Sequence, residues 1–394
     1  MRVSVPSIPD ALLRAAAASS SPPTSLTAAT ARIARFLAPG NVAVVTGAGV
    51  SVDSGIRAYR GAKGRYLNPN YKPIFYHELM DASPKGAAFR RRYWLRSYLG
   101  YPPVRDALPN TTHYALAALQ YASVVPKLIT QNVDGLHHKA LAHVWDEPRS
   151  ERGILELHGR LRAVRCVHGH LTDRDTFQQY LSAANPQWKA FADELEATGQ
   201  QPRTNPDGDV VLEGVQYDDF TVPDCPECHA EHRVNNIVRP TDYHPSSQAP
   251  LTLRALAQHK PEVIFFGESI TKDVRDRSFH DIESCDRLFL VGTTLATFSA
   301  FSDTGADDHA ARLLKHALDW RKPVLLLNVG PSRADALPGV EKIEVASGAV
   351  MRDVVRTVLG TSSLRDPVIA DMLQWGIVKP PPEDENEIAP RAVG

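Results

Sequence analysis

The sequence predicts an α/β fold: a doubly wound parallel sheet that carries a smaller inserted module. Short apolar runs at residues 42–45, 124–129, 263–266, 288–291 and 324–327, with a weaker one at 343–345, each stop at a small or polar residue. Their lengths suit buried parallel strands, and helical-looking segments separate most of them. The run ends read Thr46-Gly-Ala-Gly49, Thr130-Gln-Asn-Val-Asp134, Gly267-Glu268, Gly292-Thr-Thr294 and Asn328-Val-Gly330. Gly and Asn are ordinary strand terminators, but five such ends together favour a ligand crevice beyond the carboxyl edge of a sheet. Residues 160–260 break the pattern, holding three of the four cysteines, several Pro and Asp residues, and no strong strand run.

The expected organisation follows from those runs. Residues 1–30 are a disordered or targeting N-terminus, 31–159 and 261–360 form the sheet domain, 160–260 the insert, and 361–394 a solvated tail. Residues 56–109 lack strands and read as a flexible, partly helical excursion. A hydrophobic content of 43% over 394 residues is enough for a large core. Lys+Arg of 44 against Asp+Glu of 45 gives bulk charge no role in binding nucleic acid or an anionic membrane. No apolar run approaches the roughly 18 residues of a spanning helix. Cys166, Cys225, Cys228 and Cys285 are too few for a disulfide scaffold, and Cys225-Pro-Glu-Cys228 has metal-ligand spacing. An intracellular protein is expected. The N-terminus carries Arg2, Arg14, an Ala-rich stretch and Ser19 to Ser21, as a mitochondrial presequence does, although Asp10 counts against it. A plain tail accounts for the same composition.

The segment Val42-Ala-Val-Val-Thr-Gly-Ala-Gly-Val-Ser-Val-Asp-Ser-Gly-Ile56 runs from a strand into a Gly-rich turn. Such a turn lets backbone N–H groups approach a pyrophosphate, so the sheet is Rossmann-like and dinucleotide binding is expected. Gly47 and Gly49 begin a dehydrogenase fingerprint, but Val52 stands where its third glycine belongs. The next credible strand lies near Val124, far beyond the ~30-residue unit a dehydrogenase requires. Hydride transfer is therefore disfavoured.

The longer string Gly47-Ala-Gly-Val-Ser-Val-Asp-Ser-Gly-Ile-Arg-Ala-Tyr-Arg60 resembles the signature of the sirtuins. The resemblance continues through Thr130-Gln-Asn-Val-Asp-Gly-Leu-His137, Glu156-Leu-His-Gly159, Pro261-Glu-Val-Ile-Phe-Phe-Gly-Glu268, Gly292-Thr-Thr-Leu295 and Asn328-Val-Gly330, in the family's order. Arg90-Arg-Arg-Tyr-Trp-Leu-Arg-Ser-Tyr-Leu-Gly100 and Asn205-Pro-Asp-Gly-Asp209 resemble the class II branch, which includes a mitochondrial human member. The resemblance implies an NAD-dependent protein-lysine deacylase that transfers the acyl group to ADP-ribose and releases nicotinamide. Its partners would be acylated-lysine proteins, with no nucleic acid or membrane, in the mitochondrial matrix or else the cytoplasm or nucleus.

The same resemblance assigns residues. Gly47, Ala48, Gly49 and Ser51 would line the diphosphate, with Tyr59 and Arg60 on a closing loop. Gln131 would touch the nicotinamide-side ribose, while Asn132 and Asp134 would hold the carboxamide. Gly292, Thr293, Thr294, Asn328 and Gly330 would surround the adenosine-side ribose and phosphate. Val263, Phe265, Phe266, Gly267 and Glu268 would wall the acyl-lysine channel, where a strand edge can also pair with a peptide. His158 would be the general base, with His113, His137 and His138 structural. Structural zinc is implied by two Cys-x-x-Cys pairs in the family. Here the first pair reads Cys166-Val-His-Gly169, which leaves Cys166, Cys225 and Cys228 with His170, or less favourably His168, as a fourth ligand. Loss of zinc is the competing reading.

Two further departures stand out: Arg57-Ala58 replaces the usual Pro-Asp, and Ala300-Phe-Ser-Asp-Thr-Gly-Ala306 looks like an insertion. Transfer of ADP-ribose to a protein from the same pocket is the nearest rival activity. A catalytically weak NAD-binding module is the second, and intact Asn132, Asp134 and His158 argue against it.

Overall fold

In the computed structural model the described residues are 24–60, 64, 73–199, 207–210, 217–235, 258–296 and 309–381. Nine strands run through them: β1 (Val42–Thr46), β2 (Lys127–Thr130), β3 (Ile154–Glu156), β4 (Gly159–Cys166), β5 (Leu171–Asp173), β6 (His259–Val263), β7 (Arg287–Val291), β8 (Val324–Leu327) and β9 (Val340–Ile343). The chain divides into two compact units.

The first unit takes Met1–Pro73, Ala107–His158 and Phe266–Pro382. It holds a parallel six-stranded sheet of order β3-β2-β1-β7-β8-β9. Sequence order runs outward from β1 to β3 on one side and from β7 to β9 on the other. The reversal between β1 and β7 is the topological switch point, the place beyond the strand ends where sheets of this kind bind ligands. Alternation explains why the central strands β1, β7 and β8 are nearly all apolar. Val42, Val44, Phe289, Val291, Leu325 and Leu327 join one core, with Ile33, Leu116, Val350 and Val354 of the helices Leu26–Leu37, Thr111–Tyr121 and Ser347–Leu359. Ala43, Val45, Leu288, Leu290, Val324 and Leu326 join the other, with Ile282, Leu313 and Leu314 of Lys272–Glu283 and His309–Asp319. With both faces covered, β1, β7 and β8 are apolar except for Thr46 at the end of β1 and Arg287 at the start of β7.

The second unit takes Ile74–Asp106 and Gly159–Phe265, with the C-terminal Glu383–Gly394 outside the described residues. Its sheet is antiparallel, of order β5-β4-β6. The long helix Pro84–Asp106 belongs to this unit, so the later part of the excursion at 56–109 is one continuous helix. Trp94 Nε1–H donates to the His259 carbonyl at 3.1 Å, and the buried Arg174 guanidinium lies 4.3 Å from the Tyr101 ring and donates to the Ser97 carbonyl at 3.2 Å. An Arg96–Asp209 ion pair, with Arg96 Nε donating to the Val210 carbonyl at 2.6 Å, holds the Asp207–Val210 stretch to the helix.

The structure departs from the sequence reading at four places. The apolar run at 263–266 is not a strand of the parallel sheet, because β6 ends at Val263 and pairs with β4. Its burial alternates, with Lys260 and Glu262 less buried than their neighbours, so it is a half-buried strand that an apolar-run criterion cuts short. The segment 160–260 does contain strands. In β4 the buried residues are Leu161, Val164 and Cys166, and a register shift between Arg160 and Val164 breaks the period of two. At the edge of the parallel sheet, β3 has three residues and carries no pattern, while β9 ends at Ile343 where a strand was expected to begin. Finally, 361–394 is not all tail. Ser362–Arg365 and Pro367–Gln374 are helical, and Ile369, Met372 and Leu373 are buried in the first core. Residues 1–23 of the expected N-terminal segment and the insertion at 300–306 lie outside the described residues, and Leu26–Leu37 is helical.

Burial of Met372 sets a test of the C-terminal helix. Met372→Ala should cost about 2–5 kcal/mol in denaturant unfolding. A loss within about 0.5 kcal/mol, as at a surface position, would return this segment to the tail.

Candidate functional site

The glycine-rich turn leaves β1 as a 3-10 helix, Ala48–Ser54. Its glycines are needed where it meets the end of β7. Gly49 N–H donates to the Gly292 carbonyl at 2.9 Å, and Gly47 N–H to the Val291 carbonyl at 3.1 Å. A Cβ on Gly49 would stand 2.8 Å from the Gly292 carbonyl oxygen, and one on Gly292 2.7 Å from the Val50 nitrogen. Gly292 also has φ +60, which a side chain tolerates poorly.

Polar side chains from β1, β2 and β7 converge beside this turn. Ser51 Oγ–H donates to Asp134 Oδ2 at 2.7 Å. Asn132 Nδ2 donates to the Gly47 carbonyl and to Ser51 Oγ, each at 3.1 Å. Asp134 Oδ1 accepts the Leu136 N–H at 2.9 Å, so the carboxylate also starts the helix Leu136–Leu141. Burial raises the Asp134 pKa, and the Leu136 and Ser51 bonds oppose that rise. Gln131 ties the strand ends together: its N–H donates to the Thr46 carbonyl at 3.0 Å and its Nε2 to Thr293 Oγ1 at 2.8 Å.

His158 follows β3 and faces Gln131. The Gln131 carbonyl can only accept, so His158 Nδ1 carries the proton and donates to it at 3.0 Å. That tautomer leaves Nε2 basic. Burial lowers the His158 pKa to about 4, partly offset by the Gln131 bond, so the ring is neutral near pH 7.

The remaining assigned residues lie as follows. Arg60 donates to the Ala296 carbonyl at 2.7 Å, and Tyr59 is half-buried before residues 61–63, which lie outside the described ones. The Thr294 carbonyl accepts the Arg333 N–H at 3.0 Å. Asn328 Nδ2 donates to the Val329 and Gly330 carbonyls at 3.1 and 3.2 Å, and Gly330 N–H to Glu344 Oε1 at 2.8 Å. Val263 and Phe265 belong to the second unit, where Phe265 packs edge-on to Tyr93 at 5.6 Å. Phe266, Gly267 and Glu268 belong to the first.

The sequence reading missed a layer behind Ser51. His113 Nδ1 accepts the Asn110 N–H at 3.3 Å in a capping box, so Nε2 carries the proton toward Ser51 Oγ at 3.5 Å. His137 Nε2 lies 3.0 Å from Thr46 Oγ1, which donates to Thr130 Oγ1 at 2.9 Å. Burial lowers His113 to about 3 and His137 well below the ordinary value. The Asn110-Thr-Thr-His113 spacing was the available signal, as a helix-start motif. His138 instead contacts Ser150 Oγ at 2.7 Å.

In the second unit, Cys166, His170, Cys225 and Cys228 bring their ligand atoms within 4.8 Å of one another. Gly169, with φ +96, completes a turn in which its N–H donates to the Cys166 carbonyl at 3.0 Å, and this returns His170 toward Cys166. His170 Nδ1 lies 3.5, 3.7 and 3.3 Å from the Cys166, Cys225 and Cys228 sulfurs, and the Cys166 and Cys228 sulfurs are 3.8 Å apart. His168 is exposed and outside the cluster. Cys285 is buried in the first unit's core.

Comparison with known proteins places the chain. Residues 47–299 match the model of the Sir2 family. The NAD-dependent protein deacylase SIR4 of Batrachochytrium dendrobatidis is 36% identical over 81% of this chain and 90% of its own length. The NAD-dependent protein deacylase Sirt4 of Drosophila melanogaster is 31% identical over 80% of this chain and 83% of its own. A solved complex of a Sir2 homologue with NAD shares the fold, with a TM-score of 0.51 and 23% identity over 83% of this chain and 93% of that one. This chain belongs to the Sir2 family.

Proposed function

We propose that this protein is an NAD-dependent protein-lysine deacylase, transferring the acyl group to ADP-ribose and releasing nicotinamide. The observation that carries the reading is His158, neutral and held with Nε2 basic beside the Asn132–Ser51–Asp134 cluster at the switch point. Relatives named as NAD-dependent protein deacylases support it. Bound NAD supplies an anomeric carbon with nicotinamide as leaving group. The backbone amides of the Ala48–Ser54 turn suit its diphosphate, because a glycine-rich turn brings N–H groups close to an anion. Asp134 has acceptor capacity for the N–H of a carboxamide. Both Asn132 Nδ2 hydrogens go to the Gly47 carbonyl and Ser51 Oγ, so Asn132 offers its Oδ1 as a second acceptor. With Nδ1 committed to Gln131, His158 takes a proton at Nε2 from a ribose hydroxyl.

Zinc belongs to the same proposal. A tetrahedral site with Zn–S near 2.3 Å and Zn–N near 2.0 Å implies ligand separations of about 3.8 Å between sulfurs and about 3.6 Å from sulfur to nitrogen. The separations here, 3.8 Å and 3.3–3.7 Å, support a Cys₃His site. Glu227 lies 3.9 Å from His170 Nε2, on the side away from the sulfurs, and suits a partner that orients the ring. Zinc there would tie β4 to the start of Pro226–Asn235 and play no part in the chemistry.

The decisive experiment offers labelled NAD with acetyl, succinyl, lipoyl and longer acyl peptides. Deacylation yields O-acyl-ADP-ribose; label appearing on protein instead would make the chain an ADP-ribosyltransferase. His158→Ala should lower turnover by about two to four orders of magnitude with NAD affinity retained. Wild-type kcat/KM should hold its plateau to about pH 5, because a base with pKa about 4 stays neutral there. An acid limb near 6.5, the unperturbed histidine value, would show that burial does not lower the pKa of the base.

Metal analysis should find one zinc per chain, and His170→Ala should release it and lower the melting temperature. Zinc-free protein of full stability would sink the site. A mitochondrial matrix address is supported by N-terminal composition, in residues outside the described ones. A full-length fluorescent fusion that stays in the cytoplasm or nucleus would remove it.

A further inference from the structure

Beyond the helix Pro367–Gln374 the chain does not leave the first unit. Trp375 packs edge-on against Tyr114 and His143, with ring centroids at 5.6 and 4.6 Å, and its carbonyl accepts from Arg352 at 3.2 Å. Gly376 has φ +107, and a Cβ there would stand 2.5 Å from the Thr111 nitrogen, so the backbone lies directly on that helix start. Ile377 N–H donates to the Pro109 carbonyl at 3.2 Å, and Ile377 forms a parallel bridge with Asn110. Lys379 N–H then donates to the Asp53 carbonyl at 2.7 Å.

Asp53 lies in the Ala48–Ser54 turn that carries Gly49 and Ser51. The opposite side of the same turn is held by Asn110, whose Nδ2 donates to the Val50 carbonyl at 2.7 Å. A closed circuit results: from the turn to Asn110, from Asn110 to Ile377, along the chain to Lys379, and back to the turn. The Asp53 carboxylate also lies next to Gly348 at the start of Ser347–Leu359, where an added Cβ would meet it.

We propose that residues 375–381 are a C-terminal strap that sets the geometry of the glycine-rich turn and thereby tunes its affinity for the cofactor. This rests on the reading of that turn as the NAD diphosphate site. Lys379 and Val378 are exposed, and the strap is held by few backbone bonds, so it can detach without unfolding the core. Linkage then requires reciprocity: NAD binding tightens strap docking by the factor that docking tightens NAD.

Lys379→Pro deletes the one N–H that reaches Asp53, while Lys379→Ala keeps it. Hydrogen exchange at Gly55 and Ile56, whose amides close the turn on Val52 and Ser51, should accelerate about three- to tenfold in Lys379→Pro, as expected for one lost hydrogen bond. KM for NAD should rise by a similar factor, KM for the acyl peptide should not move, and Lys379→Ala should match wild type. A chain ending at Val378, which retains Trp375 and Ile377, should behave as Lys379→Pro does. Unchanged exchange in both altered chains would overturn the strap. Faster exchange with unchanged NAD affinity would overturn its coupling to the cofactor. If the wild type binds no NAD, the cofactor reading fails instead, and exchange still decides whether the strap holds the turn.

Discussion

The approach of two strand ends, at Gly47 to Gly49 and at Gly292, is the constraint on which the site depends. The Gly49 N–H to Gly292 carbonyl bond at 2.9 Å spans neighbouring parallel strands whose Thr46 and Val291 are in register. Because a Cβ on either side would strike backbone, the loops after β1 and β7 pack as one surface. Thr293, next to Gly292, is thereby brought within 2.8 Å of Gln131 Nε2, and Gln131 in turn orients His158. Contacts from β7 through β2 to His158, just beyond β3, thus follow from the absence of side chains at three positions. The usual account of such glycines invokes room for phosphate. Here protein–protein contact already demands them, so their presence alone is weaker evidence for a ligand than the side chains they bring together.

Around that frame the polar groups are ordered by what each can donate. Ser51 donates to Asp134, which commits its proton, and accepts from Asn132. Asp134 is buried yet accepts from Leu136 and Ser51, two of the roughly four bonds its oxygens can take. Capacity remains for a ligand amide. The same carboxylate therefore serves helix initiation and can still serve binding, and these roles do not compete.

Much of this was legible in the sequence, and what was not has physical causes. Strands such as β1 and β7 are apolar at all but one position each because helices cover both faces, so their apolar runs were readable. The bulge in β4 shifts the phase between Leu161 and Val164, and no fixed period recovers it. The helix Pro84–Asp106 joins the second unit through Trp94 and the Ser97 carbonyl, partners of residues far along the chain that local composition cannot reveal. In the site, the Gly, Asn, Asp and Thr strand ends marked the edge where the polar side chains gather. His113 and His137 are structural as read, although histidine type could not show how deeply they are buried. At the Cys166, His170, Cys225 and Cys228 cluster, Gly169 looked like a lost ligand. Its positive φ shows instead that it makes the turn presenting His170.

Low pKa alone cannot distinguish the histidines of this region. His113, His137 and His158 are all pushed well below 6.5 by burial, and all are neutral at pH 7. Their tautomers separate them. At His113 a backbone N–H occupies Nδ1, so the ring turns a donor toward Ser51 and has no basic nitrogen to offer there. His137 is 3% exposed and turns Nε2 to Thr46, while its Nδ1 has no partner among the described residues and no route to solvent. At His158 a backbone carbonyl occupies Nδ1, which forces the opposite tautomer and leaves Nε2 as the basic nitrogen. Whether a backbone donor or a backbone acceptor meets Nδ1 is thus what divides a buried histidine that orders a site from one equipped to take its proton.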